Sequence, residues 1–430
     1  MPKDDNKTVF VKLNKFESKV LATIDSTYKK FINKNGCIIV KLNKALYGCI
    51  ESARLWYDKL STELLNIGFV KNKVDPCVFN RTEVSDGTQT TLLLHVDDMF
   101  ITSQNENILT NVIKEIGNNY QSLTIQRGKI LEFLGMTFDF SVARKVRITM
   151  NGFINDFLST CKHIEGESIY PANENLFKIN KDATLLNTAD KEFYHSVTAK
   201  SLYLGKRVRP DILTAVSFLT KRVNNPTEQD FNKLIKLIKY IRHTKHMGII
   251  LEGEDTLSVL AYVDASYGVH SDYKSHTGCV IGIGRGPIYA KSSGQKINTK
   301  SSSEAELIGL SDSTNQVIWT RNFLLEQGYN VGPATIYEDN QSTIAMIKNG
   351  KSNSERTRHI AVRFYFLADR IASKEIRMEY LQTTDMLADI LTKPLQGQLF
   401  IKLRNRLLNW YDNELIDAES IHAPKGSVDT

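Results

Sequence analysis

Neither a Cys-x-x-Cys pair nor an apolar run of membrane-spanning length occurs in this 430-residue chain. The five cysteines, Cys37, Cys49, Cys77, Cys161 and Cys279, lie far apart. That spacing argues against a zinc cluster or a disulfide framework and suits a reducing compartment. No stretch approaches the roughly 20 apolar residues a helix needs to cross a bilayer, and Met1 to Thr8 is polar and charged, so an intracellular protein with no membrane partner is expected. Charge of one sign is not in large excess either. The 55 Lys and Arg against 48 Asp and Glu leave +7, a mild basic balance that permits a polyanionic partner without requiring one. What remains is an ordinary globular composition, 41% hydrophobic and 24% charged, in a chain longer than one core usually organises. Two or three domains are expected.

Leu92 to Thr102 reads Leu-Leu-Leu-His-Val-Asp-Asp-Met-Phe-Ile-Thr. An apolar run of strand length, Asp97 and Asp98 side by side, and a second apolar run predict a hairpin with two buried carboxylates at its tip. Two readings are open. Asp favours turns, so the pair can be a polar tip. A hard divalent ion takes carboxylate oxygens, and polymerases hold two such ions, so the pair can also be a magnesium site.

Before the hairpin come a strand-like run at Gly36 to Leu42 and an amphipathic helix from Ser52 through Leu55, Trp56, Leu60, Leu64 and Leu65, stopped by Gly68. Lys44-Ala-Leu-Tyr-Gly48, Ala53-Arg-Leu-Trp-Tyr-Asp58, Gly68-Phe69, Asp75-Pro-Cys-Val-Phe79 and the Val-Asp-Asp hairpin succeed one another here. In that order they resemble the reverse transcriptases of copia-type (Pseudoviridae) LTR retrotransposons. The order continues with Glu132-Phe-Leu-Gly-Met136, similar to the family's primer-grip hairpin, and Arg209-Pro-Asp-Ile212, similar to its Thr-Arg-Pro-Asp-Ile. The resemblance implies that Asp97 is a metal ligand, with Asp98 its less critical neighbour, and that Lys44, Tyr47 and Gly48 lie against template and incoming nucleotide. His95 stands where the family carries Tyr or Phe.

Two-metal polymerisation needs a further carboxylate from a strand facing the hairpin. The family supplies it from an Asp-Val strand before a Leu-Asn-Gly turn, and no such stretch precedes Gly36. Asp4, Asp5 and Asp25 read as solvated acids or helix caps. The expectation is an amino-terminally truncated palm without its first catalytic aspartate, inactive as a polymerase unless a missing polyprotein segment or partner subunit supplies it. From Ser159 to Glu254 the sequence turns helical. Lys200 to Ile250 carries eleven Lys or Arg against three acids, and Phe231, Leu234, Ile235, Ile238 and Ile241 form one apolar face with Lys233, Lys236 and Lys239 off it. Such a face is either simply solvated or tracks phosphates as a thumb or connection surface.

After the acidic Glu252 to Thr256, alternation from Leu257 to Val263 predicts a strand that delivers Asp264. Strands at Cys279 to Gly284 and Pro287 to Lys291 come next, then a helix from Ser301 to Gly328. A strand at Ala334 to Glu338 delivers Asp339. A short helix to Asn349, a long one from about Arg356 to Ala372, a strand at Ile376 to Leu381 and a final helix from near Thr384 complete the series. Three strands, helix, strand, helix, strand, helix is the order of the ribonuclease H fold. Asp264, Asp339, a helix-borne glutamate and a late aspartate around one point would repel each other ruinously without divalent cations. Glu304 and Glu306, two apart, point to different faces of a helix, so only one joins the site. Asp385 and Asp389 compete likewise.

The resemblance selects Glu306, in a Glu-Leu-x-Ala-like setting, and Asp389, in Ala388-Asp-Ile-Leu-Thr-Lys393. It also implies an assisting role for His359, and hybrid contacts from Ser302, Asn340 and Gln341 that are equally read as helix caps. Ala361 and Tyr365 depart from the family pattern.

The reading is a multidomain α/β and α+β chain in four parts. Residues 1–158 are a partial reverse transcriptase fingers and palm, and 159–254 a thumb or connection-like helical region. A ribonuclease H-like fold occupies 255–408 and a disordered tail 409–430. The expected reaction is hydrolysis of RNA in RNA-DNA hybrids with two Mg2+ ions on Asp264, Glu306, Asp339 and Asp389. Hybrid and primer-template are the expected partners, in a cytoplasmic virus-like particle or the nucleus. The alternative is a catalytically inactive remnant that only binds nucleic acid.

Overall fold

The computed structural model describes residues 9–46, 48–120, 123–348 and 358–411. Packing divides the chain into two units, Met1–Ile125 and Gln126–Thr430.

In the first unit, β1 (Phe10–Leu13) pairs antiparallel with β2 (Ile38–Lys41) beside α1 (Lys15–Ile24). Asn14 opens α1 with a capping box: its side chain accepts from Glu17 N at 3.0 Å and Glu17 Oε2 accepts from Asn14 N at 2.7 Å. Helix α2 (Ile50–Asn66) ends just before Gly68, whose φ of +90° suits glycine. The antiparallel sheet β3 (Val70–Lys71), β4 (Val78–Thr82), β5 (Gln89–His95) and β6 (Asp98–Ser103) is in sequence order, with α3 (Glu106–Gly117) after it. Leu92 and Leu94, alternate residues of β5, meet Leu60, Leu64, Phe69, Phe79, Val112 and Ile116 in the core. The period of two thus fixes which face of the hairpin is buried.

The second unit begins with the hairpin β7 (Ile130–Phe133) and β8 (Met136–Asp139), turned by Leu134 and Gly135 at φ +51° and +73°. Such a two-residue left-handed turn matches the twist of its strands. β9 (Lys145–Thr149) joins β8, and four helices come after it: α4 (Asn151–Thr160), α5 (Thr188–Arg207), α6 (Leu213–Thr220) and α7 (Glu228–His243). β10 (Ile249–Glu252) returns to pair with β9. Residues 126–158 therefore group with the helical region on their carboxyl side, where the sequence division at 158 places them with the palm.

Next come β11 (Leu260–Ser266), β12 (His276–Gly282), β13 (Tyr289–Gly294), α8 (Ser302–Glu326), β14 (Ala334–Glu338), α9 (Gln341–Lys348), α10 (Arg358–Ala372), β15 (Ile376–Tyr380) and α11 (Gly397–Leu408). The sheet order is β13-β12-β11-β14-β15, antiparallel among the first three and parallel from β11 to β15. This is the ribonuclease H-like arrangement. One face of the sheet buries Val263, Cys279, Ile281 and Ile336 against Leu307, Leu310, Phe364 and Leu367 of α8 and α10. The other joins a larger core in which Val280 and the partly buried Tyr262 pack with Ile212, Leu213, Leu237, Ile241, Ile390 and Phe400. The helices before residue 254 and the sheet after it therefore share one core.

Three expectations are corrected. The last helix starts at Gly397, preceded by 3-10 turns at Thr383–Asp385 and Leu387–Leu391. Pro394 accounts for the break, because it lacks an N–H and disfavours helical geometry at Lys393. Lys233 is not free of the apolar face: its Nζ donates to Lys178 O at 2.7 Å and sits 4.2 Å from the Phe218 ring centroid, and burial lowers its pKa to about 8. The ordered chain also runs past Leu408. Asn409 closes α11 with φ +49° and donates from Nδ2 to Ile250 O at 3.2 Å, and Trp410 is buried. The rest of the expected disordered tail of 409–430, from residue 412 on, lies outside the described residues.

Arg209-Pro-Asp-Ile212 has a structural explanation. Fully buried Arg209 binds Asp211 twice, Nε to Oδ1 at 2.9 Å and Nη2 to Oδ2 at 2.8 Å, and donates to Thr244 O at 2.9 Å. Tyr240 donates to Asp211 Oδ2 at 2.6 Å. Buried ions persist only when so fully paired.

Candidate active site

Parallel pairing sets the frame of the site. Tyr262 of β11 lies beside Tyr337 of β14, so Asp264 and Asp339, two residues on in each chain segment, arrive level at the same edge of the sheet. α8 brings Glu306 in its second turn, and the Leu387–Leu391 turn brings Asp389. Asp264, Asp339 and Asp389 each offer a carboxylate oxygen within 4.8 Å of the others, and Glu306, Glu338 and Asp339 do the same, so Asp339 belongs to both groups. Asp264, Asp389, Glu306 and Glu338 are buried.

Glu338 is a member of the cluster that the sequence motifs do not mark. Its signal is the period of two in β14, which places it on the buried face with Ala334 and Ile336. One of its oxygens accepts from Asn340 N at 3.0 Å. Glu338 Oε2 and Glu306 Oε2 are buried without a hydrogen-bond partner among the described residues. Unpaired buried carboxylate oxygens are costly unless something positive joins them.

The electrostatics reflect crowding. Burial, then Glu338 and Asp264, push the Glu306 carboxyl up to about 11, and burial raises Glu338 well above its usual range. Burial and then Asp264 raise Asp389 to about 7. Asp264 is raised by burial despite the nearby Lys393 ammonium and a hydrogen bond from the Thr392 hydroxyl to its Oδ2. Lys393 Nζ stands 2.6 Å from Asp389 Oδ1 and 3.6 Å from Asp264 Oδ1. Burial opposes its charge, but the two carboxylates outweigh burial and raise it to about 12. Thr383 donates to Asp339 Oδ2 at 2.7 Å. An all-carboxylate donor set with two orphaned oxygens fits a hard divalent ion.

The competing acids are turned elsewhere. Glu304 accepts from Lys300 N at 2.7 Å while its own N donates to Ser301 Oγ at 3.2 Å, an arrangement that caps α8. Asp385 pairs with Lys402 at 2.9 Å and Arg406 at 3.0 Å. Asn340 caps α9, accepting from Thr343 N at 3.0 Å, and Ser302 and Gln341 are exposed at the starts of α8 and α9. The His359 side chain lies outside the described residues.

The hairpin of the first unit differs from expectation. His95 pairs with Asp98 and leaves Val96, at φ +56°, and Asp97 as the turn. Both aspartates are exposed, not buried, because the hairpin runs past the core below Leu94. The indole of Trp56 donates to Val96 O at 2.6 Å and steadies the tip. Among the described residues, no group of three potential ligands includes Asp97 or Asp98. Asp25 caps a 3-10 turn by accepting from Thr27 N at 2.9 Å. Lys44 is exposed, Gly48 turns the chain at φ +91°, and Tyr47 lies outside the described residues.

Residues 24–171 match the family model described as reverse transcriptase (RNA-dependent DNA polymerase). The chain is 30% identical over 371 residues to the retrovirus-related Pol polyprotein from transposon RE1 of Arabidopsis thaliana, an alignment covering 86% of this chain and 25% of that one. It is 26% identical over 383 residues to the Pol polyprotein from transposon TNT 1-94 of Nicotiana tabacum, covering 87% and 28%. To the transposon TyH3 Gag-Pol polyprotein of Saccharomyces cerevisiae it is 24% identical over 390 residues, covering 86% and 22%. The chain thus spans about a quarter of the length of the curated relatives it matches. Among solved structures, LC11-RNase H1 isolated from compost is 12% identical and covers 32% of this chain and 93% of that one, with a TM-score of 0.25. The prototype foamy virus protease-reverse transcriptase is 12% identical and covers 84% and 63%, with a TM-score of 0.25. No helix among the described residues is long and apolar enough to cross a membrane.

Proposed function

We propose that this chain, which carries a reverse transcriptase domain and is homologous over most of its length to Pol polyproteins of copia-type transposons, hydrolyses the RNA strand of RNA-DNA hybrids at the carboxylates of its second unit. The observation that carries the proposal is the convergence of Asp264, Glu306, Glu338, Asp339 and Asp389 with two buried oxygens left unpaired. Asp264, Glu306, Asp339 and Asp389 would hold two magnesium ions, which supply an activated water and stabilise the leaving oxygen of the phosphodiester. The chain's own groups fix this geometry. The Thr392 hydroxyl holds Asp264, backbone bonds to Met386, Thr392 and Lys393 hold Asp389, Thr383 holds Asp339, and the Asn340 N–H holds Glu338. The exposed ends of α8 and α9, with Ser302 and Gln341, offer polar groups for the sugar-phosphate backbone of the hybrid.

The exposed Asp97 and Asp98 serve polymerisation on a primer-template only when a further carboxylate faces them, because two ions need ligands on both sides of the reacting phosphorus. Particles or nuclei in which Pol products meet their nucleic acid are the proposed place of action. The test is cleavage of a labelled RNA-DNA hybrid by the full chain, with magnesium and with a chelator, beside single-stranded RNA. Cleavage confined to the hybrid and to magnesium is expected. A folded chain that binds the hybrid and leaves it intact overturns the enzyme reading in favour of a nucleic-acid-binding remnant.

A further inference from the structure

We propose that Lys393 is an exchangeable cation of the carboxylate cluster, neutralising Asp264 and Asp389 until a divalent ion binds and then withdrawing. This inference rests on the reading of the cluster as a metal site.

Three observations lead to it. Lys393 Nζ contacts Asp389 Oδ1 at 2.6 Å and lies 3.6 Å from Asp264 Oδ1, so it engages two of the carboxylates that converge with Asp339. An ammonium and a divalent ion on the same carboxylates repel, and the repulsion is strong where water is largely excluded. One of the two must yield. Asp389 is held in place, since its carbonyl accepts from Thr392 N at 3.1 Å and Lys393 N at 2.9 Å, and its N–H donates to Met386 O at 3.2 Å. Asp264 is fixed within β11 and by the Thr392 hydroxyl. The Lys393 side chain, by contrast, is 38% exposed and ends a flexible four-carbon stem. Pro394 restricts the backbone on its carboxyl side, so movement is confined to the side chain. The lysine is the partner free to leave.

A permanent ion pair and an exchangeable one both oppose the metal, but they differ in what they do to the metal-bound fold. A permanent pair still stabilises that fold, so its removal lowers melting with Mg2+ as well as without it. An exchangeable lysine competes with the metal, so its removal tightens metal binding while loosening the metal-free fold.

The experiment is calorimetric titration of Mg2+ into the full chain and its Lys393→Met and Lys393→Arg variants, with metal-free melting alongside. The heat of the site is defined by its loss in Asp339→Asn. Lys393→Met is expected to bind Mg2+ about tenfold more tightly, the order of effect of losing one nearby charge. It is also expected to melt lower without metal and to recover at saturating Mg2+. Lys393→Arg, which keeps the charge and adds a second donor to the carboxylates, is expected to bind Mg2+ more weakly than the unaltered chain and to melt like it. If Lys393→Met does not fold, the weakened binding of Lys393→Arg carries the test. Unchanged affinity in the variants, or a melting deficit of Lys393→Met that persists at saturating Mg2+, overturns the exchange and leaves the metal-site reading standing. Absence of Mg2+ binding by the unaltered chain overturns both.

Discussion

Asp97 and Asp98 in the first unit and Asp264 and Asp339 in the second are carried alike, on or next to β-strands. They come to opposite states. The hairpin pair is exposed, and no third potential ligand joins it among the described residues. The other cluster is mostly buried, gathers five carboxylates from four elements, and leaves two oxygens unpaired among the described residues. A hairpin orders only its own tip, whereas parallel pairing of β11 with β14, under the cap of α8, brings distant residues to one edge. Chemical capacity thus comes from what converges on an acid rather than from the local motif that carries it.

The largest effect expected of a single change separates paired from unpaired burial. Arg209→Leu leaves Asp211 buried without its partner and is expected to cost about 3–5 kcal/mol in chemical denaturation of the second unit. A loss under about 1 kcal/mol would show that Asp211 finds water or another partner. Glu338→Gln does the reverse, since it removes the cost of keeping a buried carboxyl protonated among other acids. The metal-free chain is expected to gain roughly 1–2 kcal/mol, while its affinity for Mg2+ falls. Stability that drops in this variant would mean that the carboxylates are already neutralised by something other than metal.

The pH dependence has a definite sign. Glu306 and Glu338 have folded-state pKa values raised above those of the unfolded chain, Glu306 to about 11. Above the ordinary glutamate range the folded chain therefore retains protons that the unfolded chain has released, and stability falls as pH rises. His270 and His276 act oppositely. Burial lowers both, so the stability they support is present above the ordinary histidine range and lost as pH falls below it. Between pH 7 and pH 9 the two glutamates set the main downward slope, joined by the end of the Asp389 titration near 7 and by the raised thiols of Cys161 and Cys279, and opposed by Lys233, lowered to about 8. Metal-free melting of the second unit is expected to be lower at pH 9 than at pH 7, and saturating Mg2+ should flatten the difference. A flat metal-free profile would contradict the crowded-carboxylate picture. The smallest effect is reserved for the hairpin: Asp98→Asn should change stability by less than about 0.5 kcal/mol at any of these pH values, as an exposed substitution does.

Much of this arrangement was legible in the chain. Alternation before Asp264 and a strand before Asp339 marked two members of the carboxylate cluster, and the strand and helix order of the last part is the one observed. What stayed hidden was non-local. Nothing near Lys145 announces that it will pair with Glu252 after four intervening helices, so a boundary at 158 looked natural. Lys233 reads as a solvated cation until Phe218 and the Lys178 carbonyl are packed against it. Glu338 was legible by the rule used for Asp264, yet the adjacent Asp339 carries the more conspicuous signal, at the very end of the strand. The hairpin was readable as a hairpin, but exposure of its acids depends on where the core ends, which no local pattern states.

The most direct measurement compares the two acid sites in one assay, magnesium-dependent cleavage of a labelled RNA-DNA hybrid by the full chain. Asp339→Asn is set beside the double variant Asp97→Asn with Asp98→Asn. Cleavage should fall by about a thousandfold or more in Asp339→Asn, the scale of losing electrostatic stabilisation at a reaction centre, and stay at the unaltered rate in the double variant. Cleavage that survives in Asp339→Asn, or disappears in the double variant, would contradict the assignment of the nuclease to the buried cluster.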